Sequence, residues 1–179
     1  MELKLSVTAP SPKVAKSGTR VKTKKSNFDL FKFMTTKRPW LYVKRLDVLG
    51  TGSSRIVYIV NNKLVIKMAY AGYECRGNIL PIGAGKTQNK VEAMVSADPM
   101  SNGLVAKVYA AAPDYRWIIV ENCDEGSDQD DDDFDWKAFE KLSQKYDLRD
   151  DDDVLGINSD KKLVMLDYGL DGDVYNDYY

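Results

Sequence analysis

The sequence predicts an α+β domain: a five-stranded antiparallel sheet carrying one helix, followed by a reduced second part made of a helix and a short hairpin. Three observations predict it. Strand-like runs rich in Val, Ile and Leu fall at 42–49, 55–60 and 63–69, with turn residues and no helix between them. Two further strand-like runs, 103–112 and 115–122, come only after the first stretch of helical periodicity. The order is then three strands, a helix, two strands, a helix and a hairpin, which is not the alternation of a βαβ repeat. With 179 residues, 44% of them apolar, the chain can form one domain with a core, plus an arm.

Each element has its own warrant. Residues 1–26, MELKLSVTAPSPKVAKSGTRVKTKKS, mix Lys, Ser, Thr and Pro with few large apolar groups and read as an extended arm. Phe28, Leu30, Phe31 and Phe33 can pack that arm onto the domain. GTGSS ends the first strand as a Gly-rich turn. Asn61-Asn62 separates the second and third strands and reads as a two-residue hairpin, because Asn tolerates positive φ. A loop with Gly72, Gly77, Pro81, Gly83 and Gly85 feeds a helix over 86–97, with Thr87 as its cap and Val91, Met94 and Val95 on one face. The acidic loop CDEGSDQDDDD precedes an amphipathic helix over 134–146, with Phe134, Trp136, Phe139 and Leu142 as its apolar positions. VLGI and KLVML, joined by NSDK, make the closing hairpin. The expected organisation is a basic arm over 1–40, a sheet domain over 41–122 and an acidic part over 123–179.

Composition narrows the chemistry. The chain has no histidine, which removes Ser-His-Asp and Cys-His catalysis and histidine-ligated metals. Cys75 and Cys123 make neither a disulfide framework nor a four-ligand zinc site, and suit a reducing cytoplasm. Catalysis would have to use carboxylates, lysine and a metal ion. No apolar run approaches the ~20 residues that span a bilayer. The N-terminus lacks the apolar stretch of a secretory signal, so a cytoplasmic protein without membrane contact is expected. The net charge of −1 conceals a polarity. Residues 1–40 carry ten Lys/Arg against two Asp/Glu, and residues 121–179 carry twenty Asp/Glu against six Lys/Arg. The arm can contact nucleic acid or an acidic partner, or be a solvated tail. The runs Asp130 to Asp133 and Asp150 to Asp153 read either as solvated loops or as an acidic surface that takes a metal, a basic partner, or a site normally used by nucleic acid.

IGAGKT (82–87) looks like the end of a phosphate-binding P-loop. The first glycine that motif needs would fall on Leu80, and no parallel-sheet strand leads into it. Gly83 and Gly85 can offer N–H groups to an anion, or simply form a loop into a helix.

A second constellation carries more. Gly50 and Gly52 stand at a strand end, and Val57 comes five residues after Gly52. Lys67 lies in LVIKMA, a charge on a strand otherwise built for burial, so it needs an anion. Glu92, in the next helix, can reach it across the sheet. RWIIVENCDEG follows, and VMLDYGL delivers Asp167 onto a glycine turn. In this order the residues resemble the protein-kinase-like superfamily from about Leu41 to Leu170, in the flavour of small divergent kinase-like proteins of bacteriophages. Gly50, Gly52 and Val57 match the start of G-x-G-x-x-G-x-V, with Arg55 where the third glycine belongs. Lys67 matches the lysine of V-A-I-K. Tyr168 replaces the phenylalanine of Asp-Phe-Gly.

The resemblance implies a kinase-like small lobe with a truncated second lobe, and ATP with Mg2+ as cofactors. Lys67 would hold phosphate and Glu92 would orient it. The backbone from Glu121 to Cys123 would face adenine, and Asp167 would bind metal. The catalytic loop departs from the pattern. YDLRDDDDVLGI (146–157) keeps Arg149-Asp150 without the histidine, and the position for the metal-binding asparagine falls on Leu155 or Val154, depending on the register. A one-residue bulge would let Asp150 act as base and Asp153 as metal ligand. Ten residues follow Gly169, so the expected tail DGDVYNDYY is a lid or packing segment.

Two readings follow. One is a minimal ATP-dependent phosphotransferase of weak or absent activity, acting on or through a host or viral protein in the host cytoplasm. The other is a pseudokinase-type binding or inhibitor module that engages a host protein, or a nucleic-acid-binding site, through its acidic half or basic arm.

Overall fold

A computed structural model describes residues 28–72, 74–75, 78–125, 131–149, 154–170 and 172–178. Two short helices, α1 (Leu30–Thr35) and α2 (Pro39–Val43), come first. Strands β1 (Asp47–Thr51), β2 (Arg55–Ile59) and β3 (Leu64–Ala69) follow, then the two-residue strands β4 (Glu74–Cys75) and β5 (Asn78–Ile79), which pair with each other. Next are α3 (Ile82–Ser96), β6 (Val108–Ala111), β7 (Trp117–Glu121) and β8 (Asp124–Glu125). Helix α4 (Trp136–Tyr146), strands β9 (Leu155–Ile157) and β10 (Leu163–Met165), and helix α5 (Gly172–Tyr178) complete the order. The expected fold class holds. The main sheet is antiparallel with strand order β1-β2-β3-β7-β6, and β10-β9-β8 form a second, smaller sheet.

Both faces of the main sheet are covered, which explains why β3 and β7 read as continuous apolar runs. Strand periodicity sends alternate residues to opposite faces. Val65 of β3 and Ile118 and Val120 of β7 join the core under α3, α4 and the closing hairpin. Ile66, Met68, Trp117 and Ile119 face the other way and pack against Phe33 and Val43. The aromatic run before the sheet is thus part of a core: Phe33 is fully buried, its ring 4.8 Å from that of Trp117, while Phe31 stays exposed.

Several local expectations need correction. The first strand begins at Asp47, not 42, because Pro39 opens α2 and its fixed φ suits a first helical residue. Asn61 does not use positive φ. Its side chain accepts from the N–H groups of Lys63 (2.8 Å) and Leu64 (3.0 Å), an Asx turn that closes a longer loop. Thr87 is not a cap, since α3 starts five residues earlier and the Thr87 hydroxyl donates to Gly83 O inside the helix. The stretch IGAGKT is the first part of α3, and no P-loop forms. Its glycine at 85 has a packing reason: a Cβ there would lie 2.4 Å from Ser54 O and 2.9 Å from Ala69 Cβ. The fifth strand of the expected five starts at Trp117, because Tyr115 sits in a turn with φ 55°. Helix α4 starts at Trp136, with Asp135 capping it by accepting from Ala138 N.

Near the site the two parts are joined by a parallel bridge. Val105 bridges Met165 in parallel, with Ala106 N donating to Met165 O and Met165 N donating to Leu104 O, both 2.8 Å. That bridge holds the end of β10, and hence Asp167, against the sheet. The tail helix α5 packs on the first turn of α3, where a Cβ on Gly83 would meet the Tyr178 hydroxyl. It is a packing segment. Of the expected arm over 1–40, residues 1–27 lie outside the described residues, and the rest forms α1 and the start of α2. No helix among those described is long and apolar enough to cross a membrane.

Candidate functional site

A cleft of about 310 Å³ opens between the main sheet and the segment that leaves β10. This is within the range of small-molecule sites. Its walls are apolar: Leu49, Val57, Val65, Ala106, Val120, Val154 and Leu166. One end carries the backbone from Glu121 to Cys123, and the other carries Arg55, Lys67, Gln88 and Asp167.

The charged end is built by three elements. Lys67 stands in the middle of β3, between Val57 of β2 and Ile118 of β7, and is only 7% exposed. Burying an unpaired ammonium is prohibitive, and three groups answer it. Its Nζ donates to Glu92 Oε1 at 2.8 Å and to Leu166 O at 2.8 Å, and lies 3.8 Å from Asp167 Oδ1. Glu92 comes from α3 and is fully buried; its Oε2 has no hydrogen-bond partner. Asp167 follows β10 and keeps 58% of its side-chain surface open to the cleft. The expected trio Lys67, Glu92 and Asp167 is thus assembled in space.

Arg55 joins the trio, and its role was not expected beyond its standing in a glycine's place. Its guanidinium is buried, with Nη1 2.5 Å from Glu92 Oε1 and Nη2 donating to Asp167 Oδ1. One sequence signal pointed to it: on β2, Arg55 shares the face of Val57 and Ile59 by period two. Dehydration opposes the Asp167 charge, but Arg55 and Lys67 outweigh it and hold the carboxyl well below the usual range. Burial likewise opposes the Arg55 charge, and Asp167 and Glu92 more than restore it.

The glycine-rich turn is latched over this end. Gly52 N donates to Arg55 O at 2.8 Å, and the buried Ser54 hydroxyl donates to Gln88 Oε1 at 2.6 Å. Gly52 and Val57 line the cleft; Gly50 lies on β1 away from it, with open space where a Cβ would go. Gly169 has a sharper reason to be glycine: a Cβ would fall 2.7 Å from Gln88 O and 3.0 Å from Glu92 Oε1. Tyr168, in the phenylalanine's place, is buried in the core and its hydroxyl donates to Ala106 O at 2.6 Å.

At the opposite end, Glu121 N and Asn122 N already donate to Lys107 O and Lys63 O. Burial pushes the Cys123 thiol up to about 12, with Glu121 and Asp124 adding to the effect and Lys67 opposing it. Alkylation of Cys123 at pH 8, in a Cys75→Ser background, is therefore expected to be up to about 1,000-fold slower than that of a free thiol, in proportion to its smaller thiolate fraction. Labelling at a free-thiol rate would show that this end of the cleft is wet.

The fit to magnesium can be tested on these contacts. Mg2+ requires near-octahedral oxygen ligands, and the Asp167 carboxylate is already engaged by the Arg55 guanidinium beside Lys67. Among the described residues no group of three or more Asp, Glu, Cys or His is placed to hold a metal. One Asp167 oxygen, Oδ1, is thus committed to Arg55, while the side chain stays open to the cleft. Asp150 and Asp153, the expected base and second ligand, lie outside the described residues. Around them, Leu148 is buried, and Arg149 is exposed with its N–H donating to Leu170 O.

No known protein family matches the chain, and no curated protein matches it. Among solved structures, it is similar to a SAICAR synthase from Saccharomyces cerevisiae, solved in complex with SAICAR. The TM-score is 0.43 at 14% identity, covering 69% of this chain and 73% of that one. Likeness at that level says nothing of ligand or activity.

Proposed function

We propose that the cleft binds a nucleoside triphosphate such as ATP, and that the protein is a divergent kinase-like protein with weak or absent phosphotransfer. One observation carries this: a buried lysine on the central strand, held by a fully buried helix glutamate and facing Asp167, closes one end of an apolar slot. Lys67 and Arg55 supply donors for phosphate oxygens. The apolar walls suit the faces of a flat base, whose edge would meet the Cys123 backbone. The competition of Arg55 for Asp167 argues for weak transfer, since kinase chemistry depends on metal neutralising the developing charge.

The same pairing favours a second reading, in which the fold serves as a scaffold and engages a protein partner, such as a phage protein's host target, through its acidic half. Asp147, Asp160, Asp173 and Asp177 are exposed there.

Displacement of a fluorescent ATP analogue by ATP, on the full chain and both with and without Mg2+, tests the first reading. Saturable binding that weakens at least tenfold in Lys67→Ala is expected, with no transfer of radiolabelled phosphate to protein. No saturable binding by the wild type in either buffer would leave the scaffold reading alone.

A further inference from the structure

We propose that Arg55 stands in for a divalent cation, so that the cleft takes a nucleotide polyphosphate without metal. This rests on the nucleotide reading above. The charged end holds two cations, Arg55 and Lys67, and two carboxylates, Glu92 and Asp167. Without Arg55 that end would carry one net negative charge and repel a polyphosphate. With it, the end is balanced before any ion arrives. Arginine keeps its charge at every accessible pH, so the balance does not depend on titration.

The geometry places this cation where it can act. Arg55 is anchored on one side by Glu92 and by Asn89 Oδ1 at 3.5 Å, and Asn89 is itself fixed by donating to Tyr115 O at 2.8 Å. On the other side it meets Asp167, the more exposed of its two carboxylate partners. Its hydrogen bonds to the described residues use three of the five N–H groups of a guanidinium. A phosphate can therefore add at the free edge, or displace the solvent-facing Asp167 while Glu92 keeps Arg55 in place. Guanidinium matches phosphate in a bidentate fork, and Lys67 adds a point charge on the same side. A metal ion at Asp167 would share that carboxylate with Arg55 and lie beside two fixed cations, which disfavours it.

The test compares ATP affinity in excess EDTA and in excess Mg2+, by displacement of a fluorescent ATP analogue from the full chain. The wild type is expected to bind with the same affinity in both buffers, within about threefold. Arg55→Ala is expected to lose at least tenfold in EDTA. Arg55→Lys, which keeps the charge but loses the fork, should bind in EDTA more weakly than wild type and more tightly than the alanine variant, and it serves if the alanine variant does not fold. Binding of Mn2+ to the nucleotide-free wild type, followed by electron paramagnetic resonance, should show no site tighter than millimolar. Wild-type binding lost more than tenfold in EDTA, undiminished EDTA binding by Arg55→Ala, or a tight Mn2+ site would each overturn the proposal while leaving the nucleotide reading standing. Absence of ATP binding in both buffers would instead bring down that earlier reading.

Discussion

Glu92→Ala is expected to destabilise the folded chain by about 3–5 kcal/mol, the range for breaking a buried ion pair and leaving its partners uncompensated. For a domain of this size that corresponds to a fall of roughly 6–20 °C in melting temperature. The argument is local. Glu92 is fully buried and a single oxygen, Oε1, accepts from both Arg55 and Lys67. Removing it leaves two buried cations with Asp167 as their remaining carboxylate, and that residue is open to solvent. Glu92→Gln keeps the shape and one acceptor but loses the charge, so it should fall between wild type and alanine. Urea melts followed by circular dichroism would measure both. A loss below about 1 kcal/mol for Glu92→Ala would mean that the cations find other partners, and the site is not rigidly built.

Phe33→Ala should cost about 3–5 kcal/mol, as expected for a large aromatic removed from a packed core. Phe33 is the fully buried centre of the second core, against Trp117 at 4.8 Å and Phe28 at 5.6 Å. It lies across the sheet from the cleft, since Ile66 and Ile119 face it while Val65 and Val120 line the cleft. Stability should therefore fall while the affinity of the remaining folded protein for ATP stays within about threefold. Equal losses of both, measured below the melting transition, would show that the sheet transmits the change and is not a rigid partition.

How much was readable in advance differs by element. The strand sequence LVIKMA announces both burial and a charge, so the need for an anion at Lys67 followed directly, and Glu92 one helix later was the natural candidate. The Asp-Tyr-Gly turn was equally visible. The caps and turns were not. Thr87 suited a cap by type, yet α3 begins five residues earlier, and Gly83 and Gly85 leave room for α5 and the β1–β2 turn against its first turns. Packing of the aromatics before the sheet was legible, but not which of them is buried, because they have no period long enough to declare a face and a run such as WIIV shows burial without showing what covers it.

Arg55 marks the boundary most clearly. Periodicity along β2 determines that its side chain shares a face with Val57, and charge determines that it must be paired if buried. These are properties of a single strand, legible one residue at a time. Which carboxylates pair with it, and that it shares them with Lys67, depends on α3 and the end of β10 meeting at one point. Residues 55, 67, 92 and 167 converge there through a parallel bridge and a helix crossing. No local preference encodes such a convergence, because electrostatic pairing is set by distance in space and the spacing along the chain does not contain it.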